Sequence, residues 1–379
     1  MLLYVHVPFC GRKCDYCAFH SIVPGPEDIP LYVEALLAEV AFWKERLQRP
    51  EVHSLYFGGG TPSLLPLQAL ISIVKAVEDA FELQAGLEFS FEANPDSVMR
   101  WGYLHGLKAV GVNRLSLGVQ SLYDRHLRTL GRAHTSEQAL AAYHAARAAG
   151  FENINLDLIW GLPGLRLSTW MTQLREVVRL KPNHLSCYGL TLEPGTPLEK
   201  QSREQDMDFA PEKDLAKMFI HGAEYLESLG LLQYEISNFA AMGFQCRHNL
   251  GYWEGRDYLG LGPSAVSTIK GKRWRNPKDL AEYARCVREK ELGRDPEILD
   301  LPVRVREMVM LGLRTTRGLR LGEYAKLTGR SFLKDFGPMV QILRQHELVR
   351  ISKGCLRLTK NGMLVSDTIV ANFFSAGVF

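Results

Sequence analysis

Six short runs rich in β-branched, aromatic and leucine residues recur through the first half of the chain. They are LLYVHV (2–7), HSLYFGG (53–59), LEFSFEA (87–93), NRLSLGVQ (113–120), NINLDLIWG (153–161) and HLSCYGLTL (184–192). Helical patterns fill the intervals. PLYVEALLAEVAFWKERL (30–47) places apolar residues at i, i+3, i+4, with Glu39 to Arg46 decorating the other side. SEQALAAYHAARAAG (136–150) offers Ser136 as an N-cap and Gly150 as a stop, and STWMTQLREVVRL (168–180) is a third helix. Strands alternating with helices imply parallel βαβ units with right-handed crossovers. Six such units are too few for an eight-fold barrel and suit an open (β/α)6 partial barrel, an α/β fold. Chemistry is then expected at the C-terminal ends of the strands. The residues following the runs agree: three cysteines, then GGGTP, FEANP, GVQS and DLIWGLPG.

Residues 1–210 are expected to form this barrel core. Residues 211–300 read as a connector containing a helix (PEKDLAKMFIHGAEYLESLG) and the stretch CRHNLGYWEGRDYLGLGPSA (246–265). From residue 301 to 379 the pattern becomes helices followed by LVRISKGCLRLTKNGMLV, a small hairpin, which resembles a winged helix-turn-helix module.

Charge sharpens this division. Residues 301–379 carry 13 Lys and Arg against 5 Asp and Glu, a balance of +8. The remainder carries 32 against 37, a balance of −5. The basic tail is a solvated face, or a surface for nucleic acid or another anionic partner. The chain shows no aromatic-rich nucleic-acid motif, and its net charge is only +3, so nucleic acid is not the expected partner. No apolar run reaches membrane-spanning length. The start MLLYVHVPFC lacks the basic leader of a signal peptide. Seven cysteines, an odd and clustered set, argue against a disulfide framework. These features together point to the cytoplasm.

Three of those cysteines, Cys10, Cys14 and Cys17, lie within VPFCGRKCDYCAFH (7–20). One face of a helix is a possible source of the spacing, but Pro8, Gly11 and the lack of apolar periodicity oppose it. Zinc is a second reading, with His20 completing four ligands. An iron–sulfur cluster held by three thiolates is a third; it leaves one iron open for chemistry, and Arg12 and Lys13 favour the thiolates.

CxxxCxxC with Tyr16 before the last cysteine resembles the signature of the radical S-adenosylmethionine superfamily, whose fold is an open (β/α)6 barrel. The resemblance implies a [4Fe–4S] cluster on Cys10, Cys14 and Cys17. Its open iron would be chelated by S-adenosylmethionine, which the reduced cluster cleaves to a 5′-deoxyadenosyl radical. It implies cofactor contacts at Tyr4, Tyr16, Gly59, Gly60, Thr61, Glu92, Gln120, Arg132, Asp157 and, loosely, Val266. Without the resemblance, GGGTP is also a tight turn, and Glu92 a surface residue before an Asn-Pro turn.

Over essentially the whole chain the likeness is greatest to the oxygen-independent coproporphyrinogen III oxidase group. The porphyrinogen dehydrogenases of that group carry a further cysteine two residues after the third, and an N-terminal extension. Here position 19 is Phe19 and the first strand begins at residue 2. HNxxYW, present as His248-Asn249-Leu250-Gly251-Tyr252-Trp253, is similar to the marker of the HemW subgroup of haem chaperones. That implies haem as a further ligand, contacted by His248, Asn249, Tyr252 and Trp253, with Arg247 and Arg256 available to propionates. The same His–Asn pair is also readable as a structural link between connector and barrel. The expected partners are a haem-acceptor protein, for which a membrane respiratory protein is a candidate, and a reductant for the cluster. Radical decarboxylation of coproporphyrinogen propionates remains the enzymatic alternative.

Overall fold

In the computed structural model, which describes residues 1–375, the six β-like runs form six parallel strands in sequence order. They are β1 (Leu2–Val7), β2 (Glu51–Gly59), β3 (Glu82–Ala93), β4 (Arg114–Gln120), β5 (Asn153–Trp160) and β6 (His184–Gly189). Each pairs with the next in parallel register, Tyr4 opposite Tyr56 and Glu92 opposite Ser116, for example. Helices between them close right-handed crossovers, and the sheet stays open.

Side-chain alternation explains the curvature and the purpose of this sheet. Leu3, Val5, Leu55, Phe57, Phe89, Phe91, Leu115, Leu117, Leu156 and Leu158 point one way and are buried beneath the helices. The other face is polar along its whole length: Ser54 and Tyr56, Glu88, Ser90 and Glu92, Arg114 and Ser116, Asn155 and Asp157, His184 and Ser186. A parallel sheet ordinarily carries apolar residues on both faces. Here the inner face lines a lumen instead. Tyr188, on β6, is 42% exposed although protein surrounds it, because it borders that lumen.

Residues 211–300 extend the same sheet at both edges. On one side β7 (Leu232–Gln233) and β8 (Asn238–Ala240) add antiparallel strands to β6. On the other, β9 (Tyr258–Leu261) pairs in parallel with β1, followed by β10 (Val266–Ile269), β11 (Lys272–Arg275) and β12 (Glu297–Ile298), giving twelve strands.

Glu39 departs from the sequence expectation. It does not decorate the surface of helix Asp28–Leu47; it is fully buried. It accepts hydrogen bonds from Tyr283 Oη (2.6 Å), the Gly262 amide (2.7 Å), Asn276 Nδ2 (2.8 Å) and Trp43 Nε1 (3.3 Å). The carboxylate thereby fastens the segment carrying β9–β11 to the first helix. The cap of helix Ser136–Ala148 is also corrected: Thr135, not Ser136, is the N-cap, in a capping box with Gln138, because Asp124 takes the Ser136 amide.

Residues 301–375 form a second hydrophobic cluster around Val309, Leu313, Tyr324, Phe332 and Leu356. Helices Leu301–Leu313, Leu321–Thr328 and Gly337–Gln345 pack with a three-stranded sheet, β13 (Leu319–Arg320), β15 (Cys355–Leu358) and β14 (Val349–Ser352), in winged-helix fashion. Residues 376–379, the end of the expected third segment, lie outside the described residues. No helix among the described residues is long and apolar enough to cross a membrane.

Candidate functional site

The loop after β1 leaves at Pro8 and returns at Ile22, closed by the pair Cys10 N–Ile22 O (2.9 Å) and Ile22 N–Pro8 O (2.7 Å). It carries all three clustered cysteines at the C-terminal mouth of the barrel. The glycines after β2 let it sit close. Gly60 and Thr61 donate to the carbonyls of Val7 and Phe9 at 2.8 and 2.6 Å. A Cβ on Gly60 would stand 2.5 Å from the Phe9 oxygen, and one on Gly59 (φ +111°) would strike the His6 ring. In this geometry the glycines seat the cysteine loop.

Two donors reach the sulfurs. Thr61 Oγ1 donates to Cys10 Sγ and Arg132 Nη1 to Cys14 Sγ, both at 3.5 Å. Arg132 also donates to Asn94 Oδ1 (2.7 Å) and Gly118 O (2.8 Å), and Asn94 Nδ2 to Thr61 Oγ1 (3.1 Å). Arg132 makes no carboxylate ion pair among the described residues, and its buried Nε has no partner. Burial holds the Cys17 thiol above its ordinary range. A cationic metal at the thiols would draw out the thiolate, and an anionic group beside Arg132 would satisfy the guanidinium. The residues present therefore fit an iron–sulfur cluster with an anionic ligand nearby.

Gln120 follows a β-bulge in β4 and holds φ +65°, in the left-handed region, while 8% exposed. Strain at a buried non-glycine residue persists where the surroundings enforce it, typically at functional sites. Its amide lies over Gly118, where a Cβ would come within 3.0 Å of Gln120 Nε2 and 3.2 Å of Arg132 Nη2. Deeper in the lumen, Tyr56 donates to Glu92 Oε1 at 2.6 Å. Burial, opposed by that bond and reinforced by Asp157, raises the Glu92 carboxyl to about 7. Asp157 accepts from Asn155 Nδ2 (2.8 Å) and Ser116 Oγ (3.2 Å), and burial raises its pKa as well. Burial disfavours the charged form of both carboxyls, and a positively charged ligand beside them would offset that cost. The surface alternative for Glu92 is thereby overturned. Tyr4 faces the same lumen beside Tyr56, ring centroids 6.1 Å apart. Val266 lies two strands away, packed on Gly260, which pairs with Tyr4. Tyr16 sits on the cysteine loop, largely enclosed, with burial raising its pKa.

The four HNxxYW residues lie elsewhere. Helix Arg247–Trp253 closes the opposite, N-terminal end of the barrel. A Cβ on its Gly251 would collide with Leu2 at the start of β1. His248 is 2% exposed; its Nδ1 pairs with Ser54 Oγ at 2.8 Å, and the rings of Tyr56 and Tyr252 lie 4.9 and 4.8 Å away. Burial lowers its pKa to about 3, assisted by Arg114. Glu88 accepts from the amides of Arg247 (2.9 Å) and His248 (3.0 Å). The Asn249 amide donates to Cys246 Sγ, and the Arg314 guanidinium of the C-terminal unit lies over the Trp253 ring at 6.0 Å. Arg256 is paired with Glu254, and Arg247 with the Gly86 carbonyl. The motif packs at the barrel floor and joins it to the C-terminal unit, with His248 Nε2 and Trp253 Nε1 buried and without a hydrogen-bond partner among the described residues.

Asn94, Tyr56, Ser116, Asn155 and Tyr188 belong to the site and escaped the motif search. For Tyr56, Ser116, Asn155 and Tyr188 the signal was the polar residue at every second position of the β-runs, whereas Asn94 lies just past its strand in the Asn-Pro turn.

Glu92 yields a direct prediction. Its folded pKa exceeds the unfolded 4.5, so its contribution to stability is full below pH 4.5 and disappears as pH rises through 7. Glu92→Gln removes that loss. The ligand-free variant is expected to be more stable than the parent at pH 8, by about 1–3 kcal/mol, and equal near pH 4.5. Denaturant unfolding at the two pH values checks this.

The sequence model of the radical SAM superfamily matches residues 4–175, and that of the HemN C-terminal domain matches residues 299–365. The chain is 32% identical to the heme chaperone HemW of Bacillus subtilis, over 98% of each chain. It is 36% identical to the heme chaperone HemW of Mycobacterium tuberculosis, covering 97% of this chain and 93% of the relative. Among solved structures, coproporphyrinogen III oxidase (HemN) from Escherichia coli, described as a radical SAM enzyme, superposes with a TM-score of 0.83 at 26% identity. That match covers 99% of this chain and 90% of the other.

Proposed function

The chain belongs to the HemW family of the radical S-adenosylmethionine superfamily, and on that premise we propose that it binds haem, a [4Fe–4S] cluster and S-adenosylmethionine, and passes haem to an acceptor protein. The observation that carries the cofactor part is the pair of donors on the cysteine sulfurs at the barrel mouth, Thr61 to Cys10 and Arg132 to Cys14, linked to each other through Asn94. Bound together, cluster and S-adenosylmethionine supply one-electron reductive cleavage of a carbon–sulfur bond. The chain's own residues bind and orient. Cys10, Cys14 and Cys17 hold the cluster. Gly59, Gly60 and Thr61 offer backbone groups to the amino end of the methionyl moiety, Arg132 and Gln120 meet its polar groups, and Glu92, Asp157 and Tyr4 line the lumen beyond. Tyr16 covers the cluster and Val266 borders the outer edge.

The floor residues His248, Asn249, Tyr252 and Trp253 serve this reading by holding the barrel floor and by coupling the lumen to the basic C-terminal unit. Residues 1–210, 211–300 and 301–379 are accordingly assigned as barrel core, connecting segment and C-terminal unit. Seven free thiols among the described residues suit a reducing, cytoplasmic setting. The acceptor, with membrane respiratory proteins as candidates, and the reductant are partners of this reading.

One observation favours a second reading: the full-length likeness to HemN suggests coproporphyrinogen III oxidation. Phe19, standing where those dehydrogenases resemble one another in cysteine, weighs against it.

Transfer tests the proposal. Haem-loaded, anaerobically reconstituted protein mixed with apomyoglobin as a generic acceptor should lose its haem absorption as the acceptor gains it. Transfer no faster than from free haem would contradict the chaperone role.

A further inference from the structure

His248 Nε2 lacks a hydrogen-bond partner but lies sealed in the barrel floor at 2% exposure, whereas a carrier that hands haem on suits an iron ligand nearer the surface. The cysteine loop holds another histidine. His20 is half-buried at its ring, which stacks on His6 with centroids 6.4 Å apart and an interplanar angle of 26°. Its carbonyl accepts from His6 Nε2 at 3.1 Å, and His6 Nδ1 bonds Tyr4 Oη at 3.1 Å. The backbone of His20 is thus tied to the barrel wall, while neither of its ring nitrogens takes a hydrogen bond among the described residues. On either side stand Phe19, 71% exposed, and Val23, 63% exposed. They place two large apolar side chains at the surface of the segment that carries His20. Next to His20, Ser21 Oγ is buried and lacks a partner. The same closed loop carries Arg12 and Lys13, both exposed and neither in an ion pair among the described residues, beside Gly11, where a Cβ would meet open space.

We propose that this loop is the haem site, with His20 as an axial ligand of the haem iron. The inference rests on the haem-carrying reading above and names its site. The chemistry on the loop is complementary to an iron porphyrin. Neutral imidazole binds the iron. Phe19 and Val23 cover part of an apolar macrocycle. Arg12 and Lys13 face its two propionates as charge-assisted partners. An axial bond forms between an imidazole nitrogen lone pair and the iron, with no electron transferred and no bond in the porphyrin broken. A surface location also suits a carrier, since an acceptor can reach the porphyrin edge without opening the barrel. The loop is shared with the cluster cysteines, so haem docks beside the cluster mouth.

The experiment is haem titration of anaerobically reconstituted full-length protein, read by visible absorption and by electron paramagnetic resonance of the ferric iron. Cluster iron and sulfide are assayed in parallel. The parent should bind one haem with histidine-type ligation. His20→Ala should weaken binding at least tenfold and lose that ligation signature, with added imidazole restoring the signature. Phe19→Asp should weaken binding several-fold, and His248→Ala should leave the ligation unchanged. If the parent binds haem and His20→Ala matches it in affinity and spectrum, this site is wrong while the haem reading stands. Loss of binding in His20→Ala without imidazole rescue also overturns the ligand assignment. If the parent binds no haem, the haem reading itself falls, and the site with it.

Discussion

Cys14→Ala is expected to strip the protein of its cluster, lowering iron from about four per chain to near zero after anaerobic reconstitution and removing the broad visible absorption. The loss should be all-or-none, because two thiolates cannot hold a four-iron cluster that already lacks one protein ligand. It should not be a folding defect. Cys14 lies half-buried on a loop, and its sulfur takes one hydrogen bond, from Arg132. Removing such a group costs about 1 kcal/mol or less. Cys286→Ala is the matched control: that thiol is buried on a peripheral helix, away from the mouth, and the cluster should survive its loss. Iron and sulfide analysis beside circular dichroism separates the outcomes. An unchanged cluster in Cys14→Ala would refute the three-cysteine ligand set.

Glu39→Ala is expected to be the most destabilising single change away from the site. The carboxylate accepts four hydrogen bonds at 0% exposure. Its removal leaves a tyrosine hydroxyl, an amide side chain, an indole and a backbone N–H without an acceptor. Orphaning buried donors costs about 1–3 kcal/mol each when they cannot relax, so about 3–5 kcal/mol in total is expected after partial relaxation. The pH dependence has a definite sign. Burial raises the Glu39 carboxyl to about 7, against the hydrogen bonds that lower it. Its contribution is full below pH 4.5 and declines as pH rises through 7. The stability gap between parent and Glu39→Ala should therefore narrow from pH 5 to pH 8, as measured by denaturant titration. Because Glu39 fastens β9 beside β1, limited proteolysis of the variant should begin within residues 258–276.

These two residues mark what the sequence made legible. The cysteine loop was readable because its spacing is short and local, and the β-run at 2–7 coincides with β1 as formed. Glu92 was found through the family resemblance alone, since its place before an Asn-Pro turn also reads as surface. Glu39 was misplaced although it shares a helical face with Ala35, Leu36, Val40 and Trp43, all buried. A carboxylate on an apolar stripe was taken for decoration, since three of its four partners arrive from 223 to 244 residues away. The strands β9–β12 were read as connector for the same reason. Each is only two to four residues long, and β9 exists because Leu2 finds Tyr258. Asn94 looked like turn chemistry until the fold set it between Thr61 and Arg132. For His248 the motif identified a fixed constellation but not its depth; a buried plug and an exposed ligand spell the same HNxxYW.

The central claim is that this family member carries haem rather than oxidising a porphyrinogen. One preparation of reconstituted protein decides it, divided between haem titration and anaerobic incubation with coproporphyrinogen III, S-adenosylmethionine and a reductant. The account predicts saturable binding of one haem per chain and no loss of coproporphyrinogen III. Conversion of coproporphyrinogen III to decarboxylated product, with no saturable haem binding, would contradict it.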